Sequence, residues 1–155
     1  MKRRELLTGL AATSPDGKRA APSAGALYPL ELYVVTPGQV MHYLPDGHRA
    51  QTRAVSDLRP GLKAAAVGQP IITAAPVIIV VAAVPGRLSH RYGAQAEPFV
   101  QIEVGHAAQN ILLHAAALGL AAVPVRSLDP SRAAETLAMP PDQTVLYLIP
   151  VGHVP

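Results

Sequence analysis

The sequence predicts an α+β fold that occupies one domain, residues 1–155. Two extended patterns in the first third are separated by a Pro-Gly turn, which indicates a hairpin. A fully apolar run and a long helical pattern follow, so helices alternate with strands along the rest of the chain. An early hairpin within such an alternation favours α+β over a repeated parallel β-α-β arrangement.

The predicted hairpin consists of two strands joined by a tight turn. Leu30–Thr36 is rich in β-branched and aromatic residues, which favour strands. Pro37-Gly38 then turns the chain. Val40–Leu44 alternates as a second strand before another turn at Pro45-Asp46-Gly47.

Two helices and a buried strand are predicted for the middle of the chain. Asp57–Val67 is helical, with Pro60 tolerated near its start. Val77–Val84 has no polar face, which is typical of a strand covered on both sides. Residues 98–120 form the longest helical pattern, and Gly119 is its natural C-terminal stop.

The last third of the chain is predicted to contain a short extended piece, a small helix and a final strand. Ala122–Val125 is the extended piece. Asp129 is the expected N-cap of a helix that runs to Leu137, with Pro130 at its first position. Val145–Val151 is the final strand.

Composition and charge exclude several classes of protein. Half of the residues are hydrophobic and 15% are charged, so intrinsic disorder is not expected. The absence of cysteine excludes disulfides, thiolate metal sites and cysteine nucleophiles. The net charge of +3 comes from scattered residues, whereas a nucleic-acid-binding surface needs them clustered. The most apolar run is far shorter than the roughly 20 residues of a membrane helix, so we expect a soluble, cytoplasmic protein.

The first residues resemble an export signal only superficially. Lys2-Arg3-Arg4 precedes the apolar stretch Leu6–Ala12, but Thr8 and Gly9 interrupt that stretch, and no small-x-small cleavage site follows. The favoured interpretation is the end of an amphipathic helix that leads into a turn at Ser14–Gly17.

The small-residue stretch Pro22–Ala26 is the most informative local feature. Small side chains let a backbone approach a ligand closely, and consecutive amides can hold an anion or the edge of a heterocycle. A tight, packed turn before a strand explains the same residues, and composition alone favours that interpretation.

Four polar residues share one stripe of the predicted long helix. Glu103, His106, Asn110 and His114 are spaced by three, four and four positions. A Glu-x-x-His pair also occurs in di-iron bundles, but those need a second pair and two further Glu-bearing helices, so no metal site is expected. A polar stripe facing solvent, a subunit interface or a ligand edge explains the spacing more simply.

Four segments agree with one family in order and spacing. They are Arg19-x-x-Pro22-Ser23-Ala24-Gly25-Ala26-Leu27-Tyr28-Pro29, Arg91-Tyr92-Gly93, Glu103-Val104-Gly105-His106-Ala107-Ala108-Gln109-Asn110, and the last two strands around Val123-Pro124-Val125 and Leu146–Gly152. Together they cover nearly all of residues 14–153 and resemble the SagB-type dehydrogenases of the FMN-dependent nitroreductase superfamily.

This resemblance implies a nitroreductase-like fold, in which helices flank a central mixed or antiparallel sheet. It also implies an intertwined homodimer with FMN in the dimer interface. The implied flavin contacts in the early loop are Pro22, Ser23, Ala24, Gly25 and Ala26, with Ser23 as a hydrogen-bonding side chain. The second implied segment runs past the isoalloxazine ring and consists of Pro124, Val125, Arg126 and Ser127.

The phosphate anchors usual in that family are missing. Relatives begin with a Ser-x-Arg step and carry a basic residue beyond the last strand. Here Arg3 and Arg4 lack the serine and the chain ends at Pro155. We therefore expect a domain shortened at both ends, with an N-terminally incomplete chain as an open explanation. The hypothesis for the phosphate is that Arg126, together with Arg19, replaces the missing charge, because guanidinium groups suit phosphate.

Arg91 and Tyr92 are the predicted catalytic residues. By resemblance they occupy the place of a Lys-Tyr pair in relatives that oxidise azolines of modified peptides. Arginine stays protonated and cannot serve as a general base, so Tyr92 is the expected proton donor or acceptor, or else a packed aromatic. The resemblance implies ping-pong hydride transfer through FMN, with NAD(P)H, nitro compounds, quinones or a heterocycle-bearing peptide as substrates. The alternative is an inactive relative that acts as a scaffold or partner subunit.

Overall fold

A computed structural model describes residues 19–153 of the chain. The region that precedes them contains the predicted helix end and the turn at Ser14–Gly17, which therefore lie outside the described residues. The described elements, in chain order, are β1 (Leu30–Val35), β2 (Val40–Leu44), β3 (Arg49–Ala54), α1 (Arg59–Ala65), α2 (Ile71–Ala74), β4 (Val77–Ala83), α3 (Gly86–Tyr92), α4 (Ala96–Ala117), β5 (Ala121–Ala122), α5 (Pro130–Thr136) and β6 (Thr144–Gly152).

The strands form one antiparallel sheet in the order β3-β2-β1-β4-β6-β5. The predicted hairpin is confirmed, because β1 and β2 pair antiparallel with Leu32 opposite Tyr43. On its other edge β1 pairs with β4, and β4 pairs with β6. The α+β class is thus confirmed, and every strand pairing within residues 19–153 is antiparallel rather than mixed.

The central strand β4 is buried on both of its faces, as its apolar sequence predicts. Successive side chains of a strand point to opposite sides of a sheet. Ile79 and Val81 accordingly pack in the layer formed by α4, whereas Ile78 and Val80 pack in the layer that contains α1 and α5. The sheet is therefore the middle of three layers, and α4 alone covers most of one side.

Three elements were not predicted from the sequence: β3, α2 and α3. Strand β3 is exposed along almost its whole length, and its backbone pairing with β2 holds it in place. Helix α3 spans seven residues and buries only Leu88. Neither element has the apolar periodicity from which a strand or helix is recognised.

Two predicted helix ends are confirmed at the residue level. Helix α4 stops at Ala117, and Gly119 follows with a positive φ of 69°, a conformation that glycine adopts without strain. The Asp129 side chain accepts hydrogen bonds from the backbone amides of Ser131 and Arg132, as an N-cap does. Among residues 19–153, no helix has both the length and the apolar character that crossing a bilayer requires.

Candidate functional site

The loop Pro22–Ala26 adopts a tight conformation in which nearby backbone amides form local hydrogen bonds. Gly25, Ala26 and Tyr28 all have positive φ, at 60°, 55° and 46°. The Ala26 amide donates to the Ser23 carbonyl at 3.0 Å, and the Tyr28 amide donates to the Ser23 hydroxyl oxygen at 2.9 Å. These amides cannot also hold an anion. What the loop offers a ligand is therefore its small-residue surface more than a row of free amides.

Arg91 and Tyr92, the predicted catalytic pair, lie directly against this loop. A Cβ built on Gly25 would stand 2.7 Å from the Tyr92 hydroxyl and 3.1 Å from Arg91 Nη1. The Tyr92 ring is held edge-on by Phe99 of α4, with 5.0 Å between ring centroids. The fold thus brings together two segments that are more than 60 residues apart in the sequence.

Arg87 fixes the other end of α3 to the start of β1. Its guanidinium donates to the Tyr28 carbonyl at 2.8 Å and pairs with the Glu31 carboxylate. The second oxygen of Glu31 lies 2.6 Å from Nε2 of His42. Burial would raise the pKa of Glu31, but the hydrogen bonds from His42 and Arg87 and their charges outweigh it and hold that pKa below its usual value.

Sequence reasoning missed this cluster. Arg87 lies four positions before Arg91, which is the spacing of neighbours on one helix face. The spacing carries this meaning only in a helix, and the sequence did not predict α3.

Glu103 is buried beneath the loop. Of the three explanations for the polar stripe, burial of Glu103 contradicts a stripe that faces solvent along its whole length. Only 4% of the Glu103 surface is accessible to solvent, whereas His106 on the same stripe is exposed. Burial raises the pKa of Glu103, and this effect exceeds the opposing influence of hydrogen bonding from the Ser23 hydroxyl and the Ala24 amide. Its Oε2 is buried and has no hydrogen-bond partner among the residues that the structure describes.

Arg19 is on the loop side of the site and is held by Tyr28. Its guanidinium lies 4.4 Å from the centre of the Tyr28 ring, and its backbone amide donates to the Tyr28 hydroxyl at 3.1 Å. These residues and Glu103 line a small cavity of about 50 Å³ between the loop, the sheet and α4. The phosphate-binding role of Arg19 stays a prediction.

An open groove runs between the loop and α4. Its volume is about 250 Å³, and it is lined by Pro22, Ser23, Ala24, Phe99, Ile102, Glu103 and His106. Ligand pockets have volumes of roughly 300–1,000 Å³. One protomer therefore presents a partial binding surface at this place.

The second predicted segment, Pro124–Ser127, lies in a different part of the protomer. Val125 bridges to Leu148 of β6 and packs in the layer of α1 and α5, opposite the layer that supports the loop. Arg126 and Ser127 are exposed. Within residues 19–153 no hydrogen bond joins this segment to Pro22–Ala26, so the structure does not bring the two predicted halves together in one protomer.

Comparison with known families decides the assignment. The model of the nitroreductase family matches residues 2–153, which is almost the whole chain. The chain belongs to the nitroreductase family. A protein of Methanocaldococcus jannaschii assigned as a nitroreductase is 35% identical over 155 residues, covering 96% of this chain and 77% of that protein. This membership supports a general assignment as a flavin oxidoreductase.

Solved structures agree with the nitroreductase fold. The crystal structure of a Ralstonia eutropha protein assigned as a nitroreductase superimposes with a TM-score of 0.87 and 27% identity, covering 98% of this chain and 71% of that one. A chain of the E. coli microcin synthetase McbBCD complex with truncated pro-MccB17 bound has a TM-score of 0.86 and 22% identity, with 98% and 62% covered. At that identity the second likeness shows the fold alone.

Proposed function

We propose that this nitroreductase-family protein is an FMN-dependent oxidoreductase that acts as a homodimer. The observation that carries the proposal is the contact of Arg91 and Tyr92 with Gly25. That contact places a titratable hydroxyl and a fixed positive charge on a small-residue loop, beside an open groove. Such an arrangement suits a flat cofactor on one side and proton transfer on the other.

Two separate groups of residues would hold the two chemical parts of FMN. A Cβ at Gly25 would collide with Tyr92, so this position needs a residue without a side chain if the loop and the tyrosine are to stay in contact. Pro22, Ser23 and Ala24 would hold the ring system, and the exposed Arg126 would hold the phosphate. When bound, FMN supplies a two-electron hydride carrier that one substrate reduces and another reoxidises, with NAD(P)H as the proposed donor.

Two features favour a dimer. The loop packs on one layer of the protomer and Val125 of Pro124–Ser127 on the opposite layer, an arrangement in which a second copy would let both segments reach one ligand. Helix α4 also exposes Ile102, which lines the groove, and Leu113 further along the helix, at 57% and 60%. A second copy that covers this face would bury apolar surface and enlarge the partial groove.

The residues favour reduction of nitro compounds or quinones. Such a substrate takes up a proton, which the Tyr92 hydroxyl is placed to deliver, while the Arg91 charge stabilises developing negative charge. Azoline oxidation, the second candidate, is favoured by the motif resemblance to SagB-type dehydrogenases. It requires removal of a substrate proton, and Arg91 cannot accept one.

The test is an absorbance spectrum of the purified protein from 300 to 550 nm, before and after incubation with FMN and desalting. We expect flavin bands near one per protomer and NAD(P)H-dependent reduction of a nitroaromatic or a quinone. A protein that retains no added FMN would overturn the proposal and leave the scaffold or partner-subunit alternative.

Arg126 provides a direct test of phosphate binding. Arg126→Ala should weaken FMN binding by about tenfold or more, because a charge-assisted contact to phosphate is lost, while riboflavin binding is unchanged. Arg132→Ala, at another exposed arginine, is the matched control. An Arg126→Ala variant with full FMN affinity would show that the phosphate is held elsewhere.

A further inference from the structure

Glu103 connects the long helix α4 to the loop Pro22–Ala26. It lines both the enclosed cavity beside Arg19 and the open groove beneath the loop. Ser23 and Ala24 line that groove together with Glu103. Hydrogen bonding from the Ser23 side chain and the Ala24 backbone lowers the pKa of the Glu103 carboxyl group, against the larger effect of burial. The side chain therefore reaches from the interior face of the helix to the underside of the loop.

A carboxyl group at this buried position costs free energy that an apolar side chain would not cost. Other buried positions of α4, such as Val100, Val104 and Ala107, are apolar, and each packs against the sheet without a polar cost. Burying a carboxyl group costs free energy unless it is hydrogen-bonded, and Oε2 has no partner within residues 19–153. Packing alone does not explain a glutamate here.

The loop needs support from outside its own sequence. Positive φ values are unfavourable for residues with a side chain, and Ala26 and Tyr28 both adopt them. Such conformations persist only where surrounding contacts impose them. Within the loop, the amides of Ala26 and Tyr28 bond to Ser23, so whatever holds Ser23 holds this whole arrangement.

We propose that Glu103 is a positioning residue that fixes Ser23 and Ala24, and through them the loop that receives the flavin. The inference rests on the proposed function and names the side chain on which its cofactor loop depends. The reach of the side chain is what matters, because both contacts need only an acceptor oxygen, which a carboxamide also supplies.

Three variants of the full chain distinguish the effect of the length of the Glu103 side chain from the effects of its charge and of the stability of the protein. Glu103→Gln keeps the reach and removes the charge, Glu103→Asp keeps the charge and shortens the reach, and Val104→Ala removes buried apolar packing on the same helix. The readouts are the FMN dissociation constant from flavin fluorescence and, without FMN, amide hydrogen exchange of the peptide 19–28.

Glu103→Gln should bind FMN within about threefold of the wild type. Glu103→Asp should bind about 10- to 100-fold more weakly and should exchange the loop amides faster, as expected when two hydrogen bonds are lost. Val104→Ala should lower the melting temperature and leave both readouts unchanged. If Glu103→Asp does not fold, Glu103→Ala, which also removes the reach and leaves the bond between Ser23 and Tyr28 in place, should raise exchange of the same peptide.

Several results would overturn the inference. Strong binding by Glu103→Asp with weak binding by Glu103→Gln would assign the role to charge. An equal loss in Val104→Ala would reduce it to general stability. If the wild-type protein binds no FMN, the proposed function is wrong, but the role of Glu103 is still tested, because the hydrogen-exchange experiment is done without FMN. Unchanged loop exchange in both Glu103→Asp and Glu103→Ala would contradict the positioning role.

Discussion

At the scale of single residues, charged contacts decide how α3 meets the loop. Arg87 bridges the Tyr28 carbonyl and Glu31, and Glu31 also binds His42, so one carboxylate joins an arginine of α3 to a histidine of β2. Glu31 and His42 are largely buried, at 12% and 15% side-chain exposure, whereas Arg87 is 41% exposed. Most of the stabilisation should therefore come from the buried pair, because solvent screens the outer one.

Glu31→Gln should destabilise the protein by about 1.5–3 kcal/mol at neutral pH, the range for hydrogen bonds to charged groups. The folded-state pKa of Glu31 is lowered, so its contribution is complete above the ordinary value of 4.5 and is lost as the pH falls through the folded-state value. The gap in unfolding free energy between wild type and variant should therefore narrow below pH 4.5. Urea unfolding between pH 3 and pH 7 measures it, and a gap independent of pH would contradict the assignment.

At the scale of elements, the sequence predicts those parts whose burial follows a regular pattern. The hairpin, β4, α4 and the capped helix α5 were predicted because apolar periodicity, turn residues or a cap mark each of them. β3 and α3 were not, because pairing and side-chain contacts with distant residues stabilise them. Arg87 lies on α3 with Arg91 and Tyr92, so the missed helix is also the reason why Arg87 was not predicted beside that pair.

The loop and α3 should behave as one packed unit, and Gly25 tests this. Gly25→Ala imposes strain at a φ of 60° and pushes a methyl group onto the Tyr92 hydroxyl. Gly68→Ala imposes similar strain at 75° with nothing within 4 Å. Both variants should lose about 1–2 kcal/mol of stability in urea unfolding.

Only Gly25→Ala should also weaken FMN binding and slow substrate reduction, because only there must Tyr92 move. Equal losses of binding and activity in the two variants would show that the contact between Gly25 and Tyr92 has no functional part. Each variant is assayed at a temperature equally far below its own melting temperature, so that the two proteins are compared at similar stability.

At the scale of the whole molecule, the motifs predicted which segments belong to the site, but not how they meet. Pro22–Ala26 and Arg91-Tyr92 come together within one protomer, whereas Pro124–Ser127 lies on the opposite layer. Motif order along a chain carries no information about which copy supplies a segment. Burial of Glu103 was equally hidden, since the helical spacing alone does not say which side of a polar stripe faces the core.

The exposed apolar face of α4 carries the last prediction. If a second copy covers Ile102 and Leu113, then the double variant Ile102→Glu/Leu113→Glu places four carboxylates in the interface and should yield a monomer that no longer retains FMN. Val67→Glu, at a residue that is 78% exposed outside α4, should remain a dimer with bound flavin. Sedimentation equilibrium with absorbance at the flavin band measures mass and occupancy together. A wild-type monomer with full FMN occupancy would contradict the shared site, because one protomer would then have to complete the groove by itself.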